Sequence, residues 1–473
     1  MKKLSYSTLA EQGYDGFLLK DAPERVLQFG EGNFLRAFVD YFIDVLNEKA
    51  AFNGKVCLLQ PIPGGDAVRN AINEQEGLYT LYLRGFENGE KVNSKRIISS
   101  VSRCTNPYLD NEAFLANAQN PDLRFIVSNT TEAGIAYDSS CKFDDAPASS
   151  FPAKLTRFLY ERYKHFGEEK GKGFIVLSCE LIDHNGRELE KCVKRYAADW
   201  DLGDGFSKWL ESENVFCSTL VDRIVTGYPR TEADEINAAN GYEDSVIDTG
   251  ECFGFWVIEG PKSIADELGF DKVDLPIIVV DDHTPYKQRK VRILNGAHTS
   301  FVLGAYLKGF DIVRDCMNDD GVRAFMEETI YSEIIPTLSL PEKELKDFAA
   351  SVTERFKNPF IDHRLLDISL NSVSKWKARC LPSVKAYFEK FGKSPKNLAS
   401  SFRSLVEFYS RGEKWTADGA ALEAKRGSET YLVRDDKSVL EWFYARRGME
   451  LKSLIEECAA NAAFWGEDIN KYL

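Results

Sequence analysis

The chain has 473 residues, 44% hydrophobic and 28% charged, with a formal net charge of −14. That length exceeds one ordinary core and predicts two large domains of a soluble globular protein. The acidic balance excludes nucleic acid as a partner, which needs a basic footprint, and leaves an anionic substrate to be held by a local basic pocket.

The ten cysteines are scattered. None forms Cys-x-x-Cys or joins a Cys/His cluster at zinc spacing, so reduced thiols and no bound metal are expected. The N-terminus lacks the apolar core of a signal peptide. No run approaches the roughly 20 apolar residues of a membrane span. A cytoplasmic protein without a membrane partner is expected, and nothing in the sequence speaks to oligomeric state.

Arg25–Phe29 reads as a first buried strand. Gly30-Glu31-Gly32-Asn33 follows as a turn. Phe34, Leu35, Phe38, Val39, Phe42, Val45 and Leu46 then recur at helical spacing. Strand, glycine turn and helix in that order are the context of a dinucleotide fingerprint. Gly30 and Gly32 let the backbone approach a pyrophosphate, and the helix start aims free N–H groups at it. The third glycine of the fingerprint is replaced by Leu35, and Arg36 is expected to add charge to the phosphate site.

Lys55–Gln60 reads as a second strand. No carboxylate sits at its tip to grip a ribose, and Asp66 comes a few residues late, so this motif does not separate NAD from NADP. Leu78–Arg84 alternates like a strand, with a hairpin turn at Glu87–Glu90. Asp122–Ser128 is a further buried strand, and Asn129–Gly134 after it is expected to open a helix. Gly173–Cys179, Phe255–Glu259 and Leu275–Asp281 complete the strands. From Lys290 onward the pattern turns helical, with examples at Val322–Ile335, Glu342–Phe356, Ser400–Tyr409 and Ser438–Ala460. Trp415–Ala424 reads as a surface insertion. The expected architecture is an α/β Rossmann-type domain over residues 1–284 and a mostly α-helical domain over 285–473.

Lys290-Val-Arg-Ile-Leu-Asn-Gly-Ala-His298 opens the second part. Metal-free hydride transfer from an alcohol needs a base for the hydroxyl proton and donors for the resulting oxygen. Lys290 suits the base, since burial and neighbouring cations lower a lysine's affinity for its proton. Asn295 suits the donor role. Asn295 and His298 share a helix face, while Lys290 falls off that face. Gly296 weakens such a helix by about 1 kcal/mol, which a close approach of backbone or ligand would explain. Spacing alone equally fits an ordinary amphipathic helix.

Lysine, four residues, asparagine, two residues and histidine together resemble the catalytic signature of the mannitol dehydrogenase family of polyol-specific long-chain dehydrogenases. Gln28–Asp40, Ser128–Gly134, Phe151–Thr156, Cys179–Asp183, Ser218–Arg230 and Lys290–Thr299 resemble blocks of a keto-acid-reducing branch. The resemblance implies metal-independent, NAD(H)-linked reduction of a keto-sugar acid, with a Rossmann domain, a helical domain and an active site between them. The implied reaction interconverts D-tagaturonate and D-altronate in hexuronate breakdown. Fructuronate reduction and polyol oxidation are the alternatives, and a non-catalytic dinucleotide sensor is the alternative outside the class.

The resemblance assigns Lys290 as general acid/base, Asn295 as alkoxide stabiliser and His298 as substrate-positioning residue. It places Phe29, Gly30, Glu31, Gly32, Asn33, Phe34, Arg36, Thr130 and Thr131 at the cofactor. The family's second oxyanion asparagine is replaced by Leu181, with Asn185 the nearby candidate. A substrate carboxylate wants a lysine or arginine, for which Lys375 and Arg379, four apart on one helix face, are the candidates.

Overall fold

Val26, Leu27 and Phe29 are buried and alternate between two apolar layers, Val26 on one and Leu27 and Phe29 on the other. The same alternation runs through Cys57, Leu58 and Leu59 and through Phe125, Ile126 and Val127. A strand buried on both faces belongs to a sheet covered by helices on both sides, and such sheets are mostly parallel. The computed structural model describes every residue except Asn88, Glu132 and Glu168. It divides into one unit of residues 1–84 and 91–283 and another of residues 85–90 and 284–473.

The first unit is built on an eight-stranded sheet. Its strands are β1 (Glu24–Phe29), β2 (Lys55–Leu59), β5 (Val101–Thr105), β6 (Phe125–Ser128), β7 (Ile175–Ser178), β8 (Val215–Asp222), β10 (Phe255–Glu259) and β11 (Ile277–Val280), in the spatial order β11-β10-β8-β7-β6-β1-β2-β5. Strands from β5 across to β8 run parallel, while β10 joins β8 antiparallel. The remaining strands, β3 (Tyr79–Glu87), β4 (Glu90–Ile98) and β9 (Asp248–Glu251), form a small sheet in the order β4-β3-β9. The expected hairpin turn at Glu87–Glu90 includes Asn88, which lies outside the described residues.

One expectation for this unit is corrected, and one strand was not anticipated. Asn129–Thr131 is irregular and Gly134 closes a turn onto the Thr131 carbonyl, with Glu132 outside the described residues. The next helix is Phe151–Phe166, capped by the Ser150 hydroxyl. The strand β8, unread in the sequence, sits inside the sheet.

The second unit is mostly helical but carries a three-stranded antiparallel sheet of β12 (Gly412–Trp415), β13 (Leu422–Arg426) and β14 (Glu429–Val433). Trp415–Ala424, read as an insertion, is therefore a strand end, a turn and a strand start. The expected helix Ser438–Ala460 is two helices, Lys437–Ala445 and Leu451–Ala459, parted where Gly448 takes φ +81°. Val322–Ile335 begins as an α-helix and widens into a π-helix over Thr329–Ile334. Among the described residues no helix is long and apolar enough to cross a membrane.

Asp40 lies fully buried under the glycine turn, where burial, opposed by Arg36, pushes its carboxyl up to about 8. A carboxyl raised in the folded state ionises first in the unfolded chain. The stability that its neutral form confers is complete below the ordinary carboxylate range and is lost as pH rises toward about 8. Denaturant midpoints should therefore fall between pH 5 and pH 8, with this one acid contributing up to ~1.4 kcal/mol per pH unit. Asp40→Asn should flatten that decline; parallel profiles for the two proteins would remove Asp40 as its source.

Candidate active site

The sheet order places the strand that follows β2 and β5 on the opposite side of β1. The chain thus reverses direction of winding between β1 and β6, and ligands of open α/β sheets bind at the carboxyl ends of such a pair. Gly30-Glu31-Gly32 leaves β1 and Asn129-Thr130-Thr131 leaves β6 at that point. Gly30 takes φ +139°, a backbone conformation for which glycine is suited, and a Cβ there would lie 3.1 Å from the Leu35 side chain. Leu35, standing where the fingerprint has glycine, packs beneath the turn. A Cβ on Gly32 would meet nothing within 4 Å, so the helix start faces open space. From Asn33 the chain is helical to Ala50, through a π-turn over Arg36–Asp40. This is a cradle that a pyrophosphate fits.

Arg36 is not in that cradle. It is buried, and its guanidinium donates to the Glu31 carbonyl (3.1 Å), the Val246 carbonyl (2.6 Å) and Asn33 Oδ1 (2.5 Å), with Asp248 3.8 Å away. Its charge is spent on shaping the turn from below. Phe29 is likewise corrected: its ring packs on Phe151 and Phe114 in the core, with centroids 4.9 and 6.1 Å apart, leaving only its backbone at the strand end. Phe34 is half-buried and stacks on Phe38, while Asn33 and Thr131 are exposed. Glu31 is half-buried, and burial raises its carboxyl above the ordinary range.

Thr130 is fixed by Glu180, whose Oε1 accepts from the Thr130 N–H (3.0 Å) and hydroxyl (3.1 Å). Glu180 is buried, burial raises its carboxyl above the ordinary range, and its Oε2 is a buried acceptor without a partner among the described residues. That role was invisible in the sequence, where Glu180 read only as a neighbour of the missing asparagine. Leu181 itself is 65% exposed. Asn185 does not replace it. Its carboxamide donates to the Glu180 and Thr219 carbonyls and accepts from the Gly186 and Thr219 N–H groups, which uses both ends to tie the β7 loop to β8.

In the second unit, Lys290–Asn295 is wound as a π-helix that continues into the α-helix Gly296–Leu307. On an α-helix Lys290 and Asn295 would point about 140° apart. The i→i+5 winding turns Lys290 back toward the Asn295 side, compared with its place on an α-helix. Lys290 and Asn295 are half-buried. Asn295's carbonyl accepts from the Thr299 hydroxyl at 2.9 Å, and its carboxamide has no protein hydrogen bond among the described residues. Gly296 has the close approach that its cost suggested: a Cβ would lie 3.3 Å from the Arg379 carbonyl, and Cys380 Sγ reaches the Gly296 carbonyl at 3.7 Å. The helix Ser372–Arg379, bearing Lys375 and Arg379, is thereby pressed against the start of the lysine helix.

His298 is buried beside that contact. Its ring stacks on Phe356 at 3.9 Å and meets His363 edge-on at 5.3 Å. Burial first, then His363, Arg355, Arg379 and Lys375, hold it well below the ordinary histidine range, so it is neutral at neutral pH. Among the described residues its buried Nε2 has no partner, a state that costs about 1–3 kcal/mol until a ligand meets it. Lys375 Nζ donates to the Ile368 carbonyl (2.9 Å), and Arg379 to the Thr299 hydroxyl (3.4 Å). Arg355 escaped the sequence reading, and His363, within the helical-domain segment Asn358–Arg364 weighed for the substrate carboxylate, was not named as a site residue. The signal available was the scarcity of histidine, five in the chain, two of which meet here.

Comparison with known proteins agrees with this two-part arrangement. The family model for the mannitol dehydrogenase Rossmann domain matches residues 24–272, and that for the mannitol dehydrogenase C-terminal domain matches residues 282–465. An altronate oxidoreductase of Klebsiella pneumoniae (strain 342) is 48% identical over 456 residues, 95% of this chain and 91% of that one. The Yersinia enterocolitica altronate oxidoreductase is 46% identical, covering 98% and 93%. The fold matches Pseudomonas fluorescens mannitol 2-dehydrogenase (TM-score 0.70, 20% identity, 99% and 95% covered) and a D-sorbitol dehydrogenase (TM-score 0.76, 20% identity, 99% of each chain). With both of its parts matched, the chain belongs to the mannitol dehydrogenase family.

Proposed function

We propose that this chain interconverts D-tagaturonate and D-altronate with NAD(H) as the redox partner. The observation that carries the reading is the buried imidazole of His298, its Nε2 without a partner among the described residues, beside Arg355, Arg379, Lys375 and His363 and on the same helical segment as Lys290 and Asn295. A polyol needs no such collection of cations, whereas a sugar acid brings a carboxylate that does. The altronate oxidoreductases at 46–48% identity over nearly the whole chain support the same substrate pair.

Gly30, Glu31, Gly32 and Asn33, with Thr130 and Thr131, would hold the dinucleotide, which when bound supplies the hydride. Lys290 gives a proton to the keto oxygen during reduction and takes it back during oxidation. The Asn295 carboxamide donates to that oxygen as charge develops on it. His298 Nε2 engages a substrate hydroxyl, and Lys375 and Arg379 hold the carboxylate.

The test follows NADH absorbance with tagaturonate, fructuronate and fructose in parallel. Tagaturonate should show the highest kcat/KM. NADH binding without turnover of any keto sugar would overturn the assignment in favour of a sensor, and a preference for fructuronate would move it to the mannonate-forming reaction.

A further inference from the structure

The carboxyl ends of β1, β6, β7, β10 and β11 form one row with Ser218 inside β8. Phe29, Ser128, Ser178, Ser218, Glu259 and Val280 pair in register across β1, β6, β7, β8, β10 and β11. The dinucleotide cradle occupies the β1–β6 end of this row. At the other end three side chains from separate segments converge: His184 after β7, Glu259 closing β10, and His283 after β11. One ligating atom from each lies within 4.8 Å of the others.

Several features set this cluster apart from a chance meeting of polar groups. Two of only five histidines in the chain, 99 positions apart, face the same carboxylate. His283 Nδ1 lies 2.6 Å from Glu259 Oε2, the His283 backbone N–H donates to the same oxygen, and the two imidazoles meet edge-on at 5.5 Å. His184 Nδ1 is buried with no hydrogen-bond partner among the described residues. His184 also takes φ +50°, a left-handed conformation that glycine and asparagine tolerate more readily. Residues held in such conformations concentrate at functional sites. Arg187 binds the other Glu259 oxygen, the outer contact that orients a ligating carboxylate. The side chains of His283 and Glu259 are only 4% and 9% exposed.

We propose that His184, Glu259 and His283 bind a divalent transition metal of the zinc class, which clasps the β7, β10 and β11 ends of the sheet together. Two imidazoles and one carboxylate are a donor set that zinc takes with a fourth position left to water. Tetrahedral bonds of about 2.0–2.1 Å place ligand atoms roughly 3.3 Å apart, so the metal replaces the His283–Glu259 hydrogen bond with small side-chain shifts. Neutral His283 presents its Nδ1 lone pair to the metal and carries its one ring proton on Nε2, and protons compete with metal for the imidazole nitrogens. The metal is assigned a structural role, and no step of the proposed hydride transfer is routed through it. It revises the expectation of a metal-free protein drawn from cysteine and histidine spacing, because its ligands come from segments remote in sequence.

The experiment titrates Co²⁺ into untagged, chelator-stripped full-length protein and follows the visible d–d bands, with Zn²⁺ as competitor. One equivalent should bind, Zn²⁺ should displace it, and the thermal midpoint should rise with metal. His184→Asn keeps a residue suited to left-handed backbone, so it tests the ligand without breaking the turn. It and Glu259→Gln should lose the cobalt spectrum while retaining NADH binding and near-ultraviolet circular dichroism. His165→Ala, altering the exposed histidine in the last turn of Phe151–Phe166, should bind one equivalent as the wild type does. Failure of the stripped wild type to take up Co²⁺ would overturn the proposal, as would one retained equivalent in His184→Asn and Glu259→Gln.

Discussion

Lys290→Ala is expected to lower kcat for keto-acid reduction by ~10²- to 10⁴-fold, the usual scale of general acid–base catalysis. The residue opens a π-helical stretch, a winding that recurs at functional sites and here turns the lysine toward the Asn295 side. NADH binding should be unchanged, because the glycine cradle lies in the other unit. Lys290→Arg should be as slow as the alanine variant: arginine keeps the positive charge but does not cycle a proton near neutral pH. Added small primary amines should restore part of the alanine variant's rate and none of the arginine variant's. Wild-type rates in either variant would remove Lys290 from proton transfer. Equal loss in both without amine rescue would leave it a role in shape only.

The parts of this protein that could be read in advance are those decided by local pattern. The buried run Arg25–Phe29, the two glycines after it and the apolar helical spacing that follows identify the cradle, since each is dictated by neighbours a few residues away. The β8 strand was not legible. Ser218, Thr219 and Asp222 are buried polar residues, and Thr219's partners are Asn185 and the Ser178 carbonyl, contacts that close only after folding. The small sheet of the second unit was missed for a related reason. Glu413, Lys414, Glu423 and Lys425 make its short strands resemble a polar loop. Tertiary hydrogen bonds also decided the fates of Arg36 and Asn185. Each has chemistry suited to a ligand, and each is consumed by backbone groups remote in sequence, such as Val246 for Arg36 and Thr219 for Asn185. In the lysine helix, residue identities were legible but winding was not. An i→i+5 turn has no sequence period, and only the price in helix propensity at Gly296 hinted at the Arg379 carbonyl packed against it.

That packing makes the second large effect specific. Lys375→Met and Arg379→Met should each raise KM for tagaturonate, by roughly 10- to 150-fold if each supplies a charged hydrogen bond of about 1.5–3 kcal/mol. Their combined effect should fall short of the product, because the two share one carboxylate and lie one turn apart. Fructose lacks the carboxylate, so its KM, or its inhibition constant where turnover is slow, should change little. Each variant should therefore narrow the preference for the acid by about the factor that it loses in KM. Methionine retains the apolar stem, and the contact of the Arg379 carbonyl with Gly296 is made by backbone, so the junction of the two helices is kept. His298 also reports on this site: burial leads its depression and the charges of Arg379 and Lys375 contribute to it. Removing either cation should move the His298 titration upward, toward the ordinary histidine range, in nuclear magnetic resonance of the free protein. Equal losses with acid and neutral sugars, together with an unmoved His298, would place Lys375 and Arg379 outside the carboxylate site and make their helix a purely structural support.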